Sequence, residues 1–208
     1  KDHFHRPASR ASTLALEVDG LRAAKVNVVS FDVRHGEILG FAGLVGSGRS
    51  EMARAIFGID PVDSGQIKVD GREVTINGPR DALDAGIVLV PEDRKLQGLV
   101  LSRSVTFNVT LPWLKDWITG FMPNERKRRE IVERAIRAFG IKVADPRQTI
   151  DSLSGGNQQK LLVGRWMEHP PKVLILDEPT RGVDVGAREA IFDIIGSLVE
   201  SGMAVVLI

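Results

Sequence analysis

The sequence predicts an α/β fold with a mainly parallel core sheet, and three observations support this prediction. Short apolar runs at 87–90 and 173–176 have the length and composition of buried strands. Helical spacing is found between such runs, for example at 187–200 between the apolar runs 173–176 and 204–208. A glycine-rich loop, residues 43–50, lies between a short apolar run and a helical segment. Strands that alternate with helices form parallel sheets covered on both faces.

The N-terminal part of the chain carries a different pattern. Residues 1–12 are polar and are predicted to be a linker or tail, which leaves 13–208 as the folded domain. Alternation of apolar and polar residues, typical of half-buried strands, occurs at 14–18, 26–33, 66–69 and 73–76. The last two runs are joined by Asp70-Gly71 and predict a hairpin, so we expect an antiparallel β subdomain here.

The middle of the chain is predicted to be helical. Residues 101–167 favour helix, 124–139 most clearly, and we expect a helical lobe of about 100–167 inserted in the core. The final apolar run, 204–208, ends the chain within a strand. We therefore expect that C-terminal residues are missing from this sequence, and that another half precedes Lys1 in the full protein.

Composition excludes several classes of function. The 208 residues are 43% hydrophobic and 26% charged, which is typical of a globular domain. The formal net charge of +1 gives no reason to expect a nucleic-acid partner. The absence of cysteine excludes disulfides and thiolate metal sites. No stretch approaches the roughly eighteen apolar residues of a membrane span, so we expect any membrane role to come through a partner.

The glycine loop has the composition of a phosphate-binding turn. Backbone N–H groups of such a loop, together with the following helix N-terminus, attract anions. Ser50 is placed to give its hydroxyl to Mg²⁺, whereas Arg49 stands where the usual pattern has Lys, and its planar fork is not equivalent. The nucleotide-binding candidates are Gly43, Gly46, Ser47, Gly48, Arg49, Ser50 and Glu51.

Two carboxylates follow the apolar run 173–176. Asp177 and Glu178 are expected at the carboxyl end of a buried strand, where α/β sheets bind their ligands. Asp177 would hold Mg²⁺, and Glu178 would orient and deprotonate an attacking water. A solvated acidic pair at a strand end is the alternative.

A second candidate anion site begins at Leu153. Ser154 suits the cap of a helix that we expect to run to about Met167, and Gly155-Gly156 would leave the first N–H groups uncovered. The alternative is a simple capped helix start.

The order of these motifs, from the glycine loop through Leu-Ser-Gly-Gly-Asn-Gln to Asp-Glu-Pro-Thr, resembles the ATPase domains of ABC transporters, which are P-loop NTPases. The resemblance implies ATP and Mg²⁺ as ligands. It also implies a head-to-tail pair of domains, in which the signature residues Ser154, Gly155, Gly156 and Gln158 serve the partner's ATP. Asp184 matches the loop that crosses between the halves.

Departures from the general pattern narrow the resemblance. Glu92 stands where the family carries a Gln that contacts Mg²⁺, so Glu92 is a third candidate metal ligand beside Ser50 and Asp177. The motifs Pro-Glu-Asp-Arg-Lys and Gly-Arg-Ser are similar to those in the C-terminal half of fused ATPases that energise bacterial ribose, galactose and xylose importers. This implies as partners a preceding ATPase half, membrane permease subunits and, indirectly, a sugar-binding protein. It places the chain at the cytoplasmic face of the bacterial inner membrane.

Some features of the family are not found. The switch histidine would follow 204–208, and the four histidines present are expected at the surface. No aromatic residue precedes the second strand to stack on adenine. The apolar segment 111–118 favours lobe core over a groove for the membrane subunits, with 92–108 nearer the docking surface.

Three functions therefore remain open. The first is an ATPase half that drives a sugar permease. The second is a degenerate half that holds ATP and gives its signature to the partner without hydrolysis. The third is a soluble ABC protein that acts on nucleic acid or ribosomes, against which the near-neutral charge argues.

Overall fold

The computed structural model describes residues 13–44, 46–119 and 122–208. The predicted linker at 1–12 lies outside these residues. The chain divides into two compact units, and each is described by itself. Unit 1 comprises the described residues up to Leu89, 171–178 and 193–208, and unit 2 comprises 90–170 and 179–192.

The first sheet of unit 1 is antiparallel. Its strands are β1 (Leu14–Ala23), β2 (Val26–Arg34), β4 (Val62–Val69) and β5 (Arg72–Glu73), and they lie in the order β2-β1-β4-β5. The pairing of β1 with β4 changes register between Asp19 and Arg22. The predicted antiparallel strands are thus present, although β1 is longer and β5 shorter than their sequence patterns indicate.

The second sheet contains the strands that end near the candidate site. Its order is β3 (Ile38–Gly40), β10 (Ala204–Leu207), β9 (Val173–Leu176) and β6 (Ile87–Val90). The central strand β10 pairs in parallel with both β3 and β9. All residues of β6 and β9 are buried, as continuous apolar runs predict for strands covered on both faces.

Two helices of unit 1 cover its sheets. Helix α1 (Arg49–Ile56) follows the glycine loop, and α2 (Pro79–Ala85) precedes β6. The predicted elements did not include α2. Its signals are Pro79 at the start and Gly86, with φ 91°, at the end.

Unit 2 is mainly helical. It contains α3 (Val105–Thr110), α4 (Leu114–Trp117), α5 (Glu125–Ala138) and α6 (Gly155–Gly164), together with a single π-helical turn at Arg94–Gly98. A small hairpin, β7 (Ile118–Thr119) with β8 (Met122–Pro123), interrupts the predicted helical stretch. The last helix, α7 (Val185–Glu200), contributes residues to both units.

Two predictions for unit 2 need correction. Helix α6 ends at Gly164 rather than near Met167. The segment 111–118 is not uniformly core: Trp117 is buried, but Leu111, Leu114 and Ile118 are more than a third exposed. The reason is the shortness of α4, whose single turn can bury only one face.

Two of the histidines lie at the surface and contact carboxylates. His169 is 63% exposed and contacts Asp116, while His35 is partly exposed and contacts Asp70.

None of the helices in the described part of the chain is long and apolar enough to cross a membrane.

Candidate functional site

The glycine loop joins β3 to α1 in unit 1. Gly46 and Gly48 have φ angles of 83° and 86°, a left-handed conformation that glycine adopts without strain. Gly48 caps α1, and a Cβ atom at this position would lie 2.8 Å from the carbonyl oxygen of Lys25. The β1–β2 turn therefore packs against the end of the loop, and only glycine fits there.

Side chains of the loop fold over Gly43. A Cβ atom at Gly43 would lie 2.8 Å from Ser47 Oγ and 3.5 Å from Arg49 Nε. Arg49 Nη1 donates to the carbonyl oxygen of Phe41 at 3.2 Å, so the guanidinium is held on the backbone of its own loop. A nucleotide phosphate in this loop would compete with Phe41 for that donor.

Asp177 lies directly after β9 and is 5% exposed. Its Oδ1 atom has no hydrogen-bond partner among the described residues. Burial raises the pKa of Asp177 most strongly, and the negative charge of Glu178 adds to this, while a hydrogen bond with Ser50 and the charge of Arg49 lower it. The structure thus brings the glycine loop and the carboxylate together, as the sequence predicts.

This arrangement fits Mg²⁺. A buried carboxylate oxygen without a partner, beside a serine hydroxyl, offers two oxygen ligands of the kind that Mg²⁺ takes. The described residues contain no cluster of three or more His, Asp or Glu side chains that could hold a metal. Such a site suits an ion that completes its shell with water and nucleotide phosphate.

Glu178 has an unusual backbone. Its φ angle is 41°, which costs free energy for any residue with a Cβ atom. Its N–H group donates to the carbonyl oxygen of Ile208 at 3.0 Å, and this bond holds the turn in place. The carboxylate is exposed beside Asp177, where a general base needs access to water.

Glu92 belongs to unit 2 and has a partner within it. Its carboxylate forms an ion pair with Arg181. Asp93 accepts hydrogen bonds from the N–H groups of Lys95 and Leu96, which starts the π-helical turn. The metal-ligand role of Glu92 stays a prediction, and the structure adds that its carboxylate is paired with Arg181.

The start of α6 follows the prediction closely. Ser154 caps the helix, and its Oγ atom accepts from Asn157 N at 3.4 Å and from Asn157 Nδ2 at 3.0 Å. A Cβ atom at Gly156 would lie 2.6 Å from the Cβ atom of Ala187. Gly156 is therefore required by close packing against α7, which the sequence did not reveal.

Gln158 is 5% exposed and has its side chain bound inside unit 2. Its Nε2 atom donates to the carbonyl oxygens of Ile150 at 3.0 Å and Leu153 at 3.2 Å. Its Oε1 atom accepts from Arg94 Nε at 3.3 Å. These contacts favour support of the turn before α6 over direct contact with a partner's nucleotide.

Asp184 begins α7. Its Oδ1 atom accepts from Ala187 N at 2.9 Å, which satisfies one of the free donors of the helix start. The residue is exposed, so its other carboxylate oxygen can meet another molecule.

Lys25 and Arg94 take part in these contacts and were not among the predicted site residues. Lys25 contacts the loop through its backbone oxygen, which no side-chain pattern reveals. Arg94 lies within the quoted Pro-Glu-Asp-Arg-Lys motif, but nothing in the sequence indicates that it is buried.

The family model described as ABC transporter matches residues 26–181. The chain belongs to this family. Among curated proteins, the ribose import ATP-binding protein RbsA of Lactococcus lactis subsp. cremoris (strain SK11) is 45% identical over 207 residues, covering 100% of this chain and 42% of that protein. Ribose import ATP-binding protein RbsA 3 of Rubrobacter xylanophilus is 47% identical over 206 residues, covering 99% of this chain and 41% of that protein. The chain thus spans about two fifths of the length of these relatives.

Solved structures confirm the fold. The structure of cbiO1 from Clostridium perfringens, part of the ABC transporter complex cbiONQ, has a TM-score of 0.73 at 22% identity, covering 94% of this chain and 77% of that one. A dimeric post-hydrolysis state of the ATP-binding cassette MJ0796, bound to ADP and Pi, has a TM-score of 0.73 at 23% identity, covering 92% and 86%. The predicted ABC-type α/β fold is therefore correct.

Proposed function

We propose that this chain is the ATP-binding and hydrolysing domain of an ABC importer for a monosaccharide. The observation that carries the proposal is the buried Asp177 carboxylate, with Oδ1 unpartnered among the described residues, beside Ser50 at the end of the glycine loop. Relatives at 45% and 47% identity that are named ribose import ATP-binding proteins support the substrate class.

The residues of unit 1 would bind the nucleotide phosphates, hold Mg²⁺ and activate water. The N–H groups of the loop, with Gly46 and Gly48 in left-handed conformations, would bind the phosphates. Ser50 and Asp177 would hold Mg²⁺, which neutralises developing phosphate charge when bound. Glu178 would orient the attacking water and take its proton.

The residues of unit 2 would act on a second ATPase domain. Ser154, Gly155 and Gly156 present the start of α6, whose free N–H groups and helix dipole favour the phosphate of a partner's ATP. Asp184 would contact that partner. The proposed assembly adds membrane permease subunits and, through them, a sugar-binding protein at the cytoplasmic membrane.

A non-hydrolysing half is the second candidate, and one observation favours it. Arg49 donates to the carbonyl oxygen of Phe41 instead of extending from the loop. This contact would weaken support of the γ-phosphate at this domain's own site. The domain would then bind ATP and act through its signature alone.

Glu178→Gln distinguishes these two functions. The variant is placed in the full-length protein that carries this chain, and steady-state ATP hydrolysis is compared with the unmodified protein. We expect turnover to fall at least tenfold, because the amide cannot accept the proton of the attacking water. Glu73→Gln, at an exposed strand position in unit 1, is the matched control.

Nucleotide binding is measured in the same preparations. Unchanged turnover with intact ATP binding would refute hydrolysis at this site and leave the non-hydrolysing function. Loss of ATP binding in Asp177→Asn, but not in Glu178→Gln, would support the separate roles of the two carboxylates.

A further inference from the structure

Arg94 is a buried cation in unit 2 with no role in the chemistry above. It is 8% exposed and begins the π-helical turn Arg94–Gly98. Asp93 caps this turn through the N–H groups of Lys95 and Leu96, so the backbone of Arg94 is fixed. A buried charge of this kind is tolerated only when its donors are satisfied.

The guanidinium makes three contacts, two with the loop at 181–182 and one with helix α6. Nη1 donates to the carbonyl oxygen of Arg181 at 2.6 Å, and Nη2 donates to that of Gly182 at 3.0 Å. Nε donates to Gln158 Oε1 at 3.3 Å. The acceptors in these bonds are two backbone oxygens and an amide, so the contact depends on the shape of the guanidinium as well as on its charge.

Gln158 extends the network to the turn before α6. Its Nε2 atom binds the carbonyl oxygens of Ile150 and Leu153. Arg94 is thereby connected through one side chain to the backbone that leads directly into Ser154.

Gly155 is packed against the same guanidinium. A Cβ atom at Gly155 would lie 2.9 Å from Arg94 Nη2 and 3.1 Å from the carbonyl oxygen of Gly182. The glycine therefore allows Arg94 and the 181–182 loop to approach the first turn of α6. The ion pair between Glu92 and Arg181 adds a second connection between the segment 92–94 and the 181–182 loop.

We infer that Arg94 is a positioning residue that holds the signature turn 154–158 and the 181–182 loop in a fixed mutual geometry. This inference rests on the proposed function, in which the start of α6 binds a partner's ATP and Asp184, which follows the 181–182 loop, contacts that partner. A sub-ångström error in such a site lowers turnover at the partner's nucleotide, while nucleotide binding at this domain's own loop does not depend on Arg94.

The test uses the full-length protein with Arg94→Met and Arg94→Lys. We measure kcat and KM for ATP, affinity for a fluorescent ATP analogue at this domain's own loop, and the melting temperature. Arg94→Met should lower kcat at least tenfold and change the own-loop affinity less than twofold. Arg94→Lys keeps the charge but cannot place three planar donors, so it should fold normally and still lower kcat about threefold or more.

Two controls make the outcomes distinct. Arg126→Met removes an arginine whose side chain is 87% exposed on α5. This variant should leave kcat and the own-loop affinity unchanged. Ser154→Arg blocks the signature at an exposed position. If Ser154→Arg lowers turnover but both folded Arg94 variants match the unmodified protein, the inference is overturned. The inference would also be overturned if kcat fell only together with the own-loop affinity and the melting temperature. If Ser154→Arg has no effect, the proposed function fails, and the inference fails with it.

Discussion

Asp177 shows how a single residue can be placed for function at a cost in stability. The carboxylate is almost fully buried, and Oδ1 has no hydrogen-bond partner among the described residues. Burial raises its pKa, so the folded protein favours the protonated form more than the unfolded chain does. The stabilising contribution is then present below the unfolded pKa of about 4 and is lost as the pH rises through the folded pKa.

Asp177→Asn is therefore expected to stabilise the domain at pH 7 without Mg²⁺. The amide removes a buried charge, and the gain in unfolding free energy should be on the order of 1 kcal/mol. The gain should shrink as the pH falls towards 4, where the carboxyl group takes up its proton. Denaturant unfolding at several pH values measures the difference.

Asp63→Asn, at an exposed position, is the control for the change of side chain. Addition of Mg²⁺ and ATP should reverse the order of stability, because only the unmodified site binds the metal. An Asp177→Asn variant that is less stable at pH 7 without Mg²⁺ would contradict the argument.

Asp70 has the opposite titration behaviour. Oδ2 contacts Lys172 Nζ and Oδ1 contacts His35 Nε2, each at 2.7 Å. The hydrogen bond with Lys172, and then that with His35, lower the pKa of Asp70 against the effect of burial. The stabilisation is present above the unfolded pKa and is lost as the pH falls through the lowered folded pKa.

Asp70→Asn should lower the unfolding free energy at pH 7 by about 0.5–1 kcal/mol, a small amount because the carboxylate is partly exposed. Its φ angle of 51° suits asparagine equally well, so the change isolates the charge. The difference should begin to shrink as the pH falls below the unfolded pKa of about 4, be lost as the pH falls through the lowered folded pKa, and diminish in high salt. A difference that persists unchanged at pH 3 would show that the charge is not its cause.

At the scale of elements, Gly65 decides how β4 lies against β1. Its φ angle is 115°, and a Cβ atom would lie 2.6 Å from Leu21 Cα. The two strands change register between Asp19 and Arg22, and the close approach at Gly65 lies within this irregular region. A side chain there must displace the backbone of β1.

Gly65→Ala should lower the unfolding free energy by at least about 2 kcal/mol, because strain and steric overlap act together. Gly71→Ala is the matched control: its φ angle of 71° is also left-handed, but nothing lies within 4 Å. Gly71→Ala should lower the unfolding free energy by about 1 kcal/mol, because of backbone strain alone. Equal effects at the two positions, measured by urea unfolding, would show that the contact with Leu21 has no importance.

At the scale of the whole molecule, charge separates the proposed function from action on nucleic acid. The chain has 28 Lys and Arg residues against 27 Asp and Glu, which gives the formal net charge of +1. Nucleic-acid affinity depends on the release of counterions by clustered cations. A near-neutral chain lacks the general attraction that brings such proteins to a polyanion.

We expect no saturable binding to duplex DNA or RNA below about 10 µM at physiological salt. Fluorescence anisotropy with labelled duplexes measures this, and binding of a fluorescent ATP analogue serves as the positive control. Saturable binding to either duplex with a steep dependence on salt would restore the third candidate function.

The sequence alone was sufficient for features that depend on neighbours along the chain. Length and apolar composition identified the buried strands β6 and β9, because a short continuous apolar run is typical of a strand covered on both faces. Ser154 was identified as a helix cap for the same local reason. Helix α2 shows the limit of that reasoning, since Pro79 and Gly86 marked it but its short sequence has no clear period.

Only the tertiary structure decided the roles of residues whose partners lie far away in the chain. The sequence predicts Glu92 as a metal ligand, and only the structure shows that its carboxylate pairs with Arg181. Arg94 had no predicted role, and only the fold shows that it donates to the carbonyl oxygens of Arg181 and Gly182. Burial and pairing of a charge depend on which segments the fold brings together, and residue type alone does not carry that information.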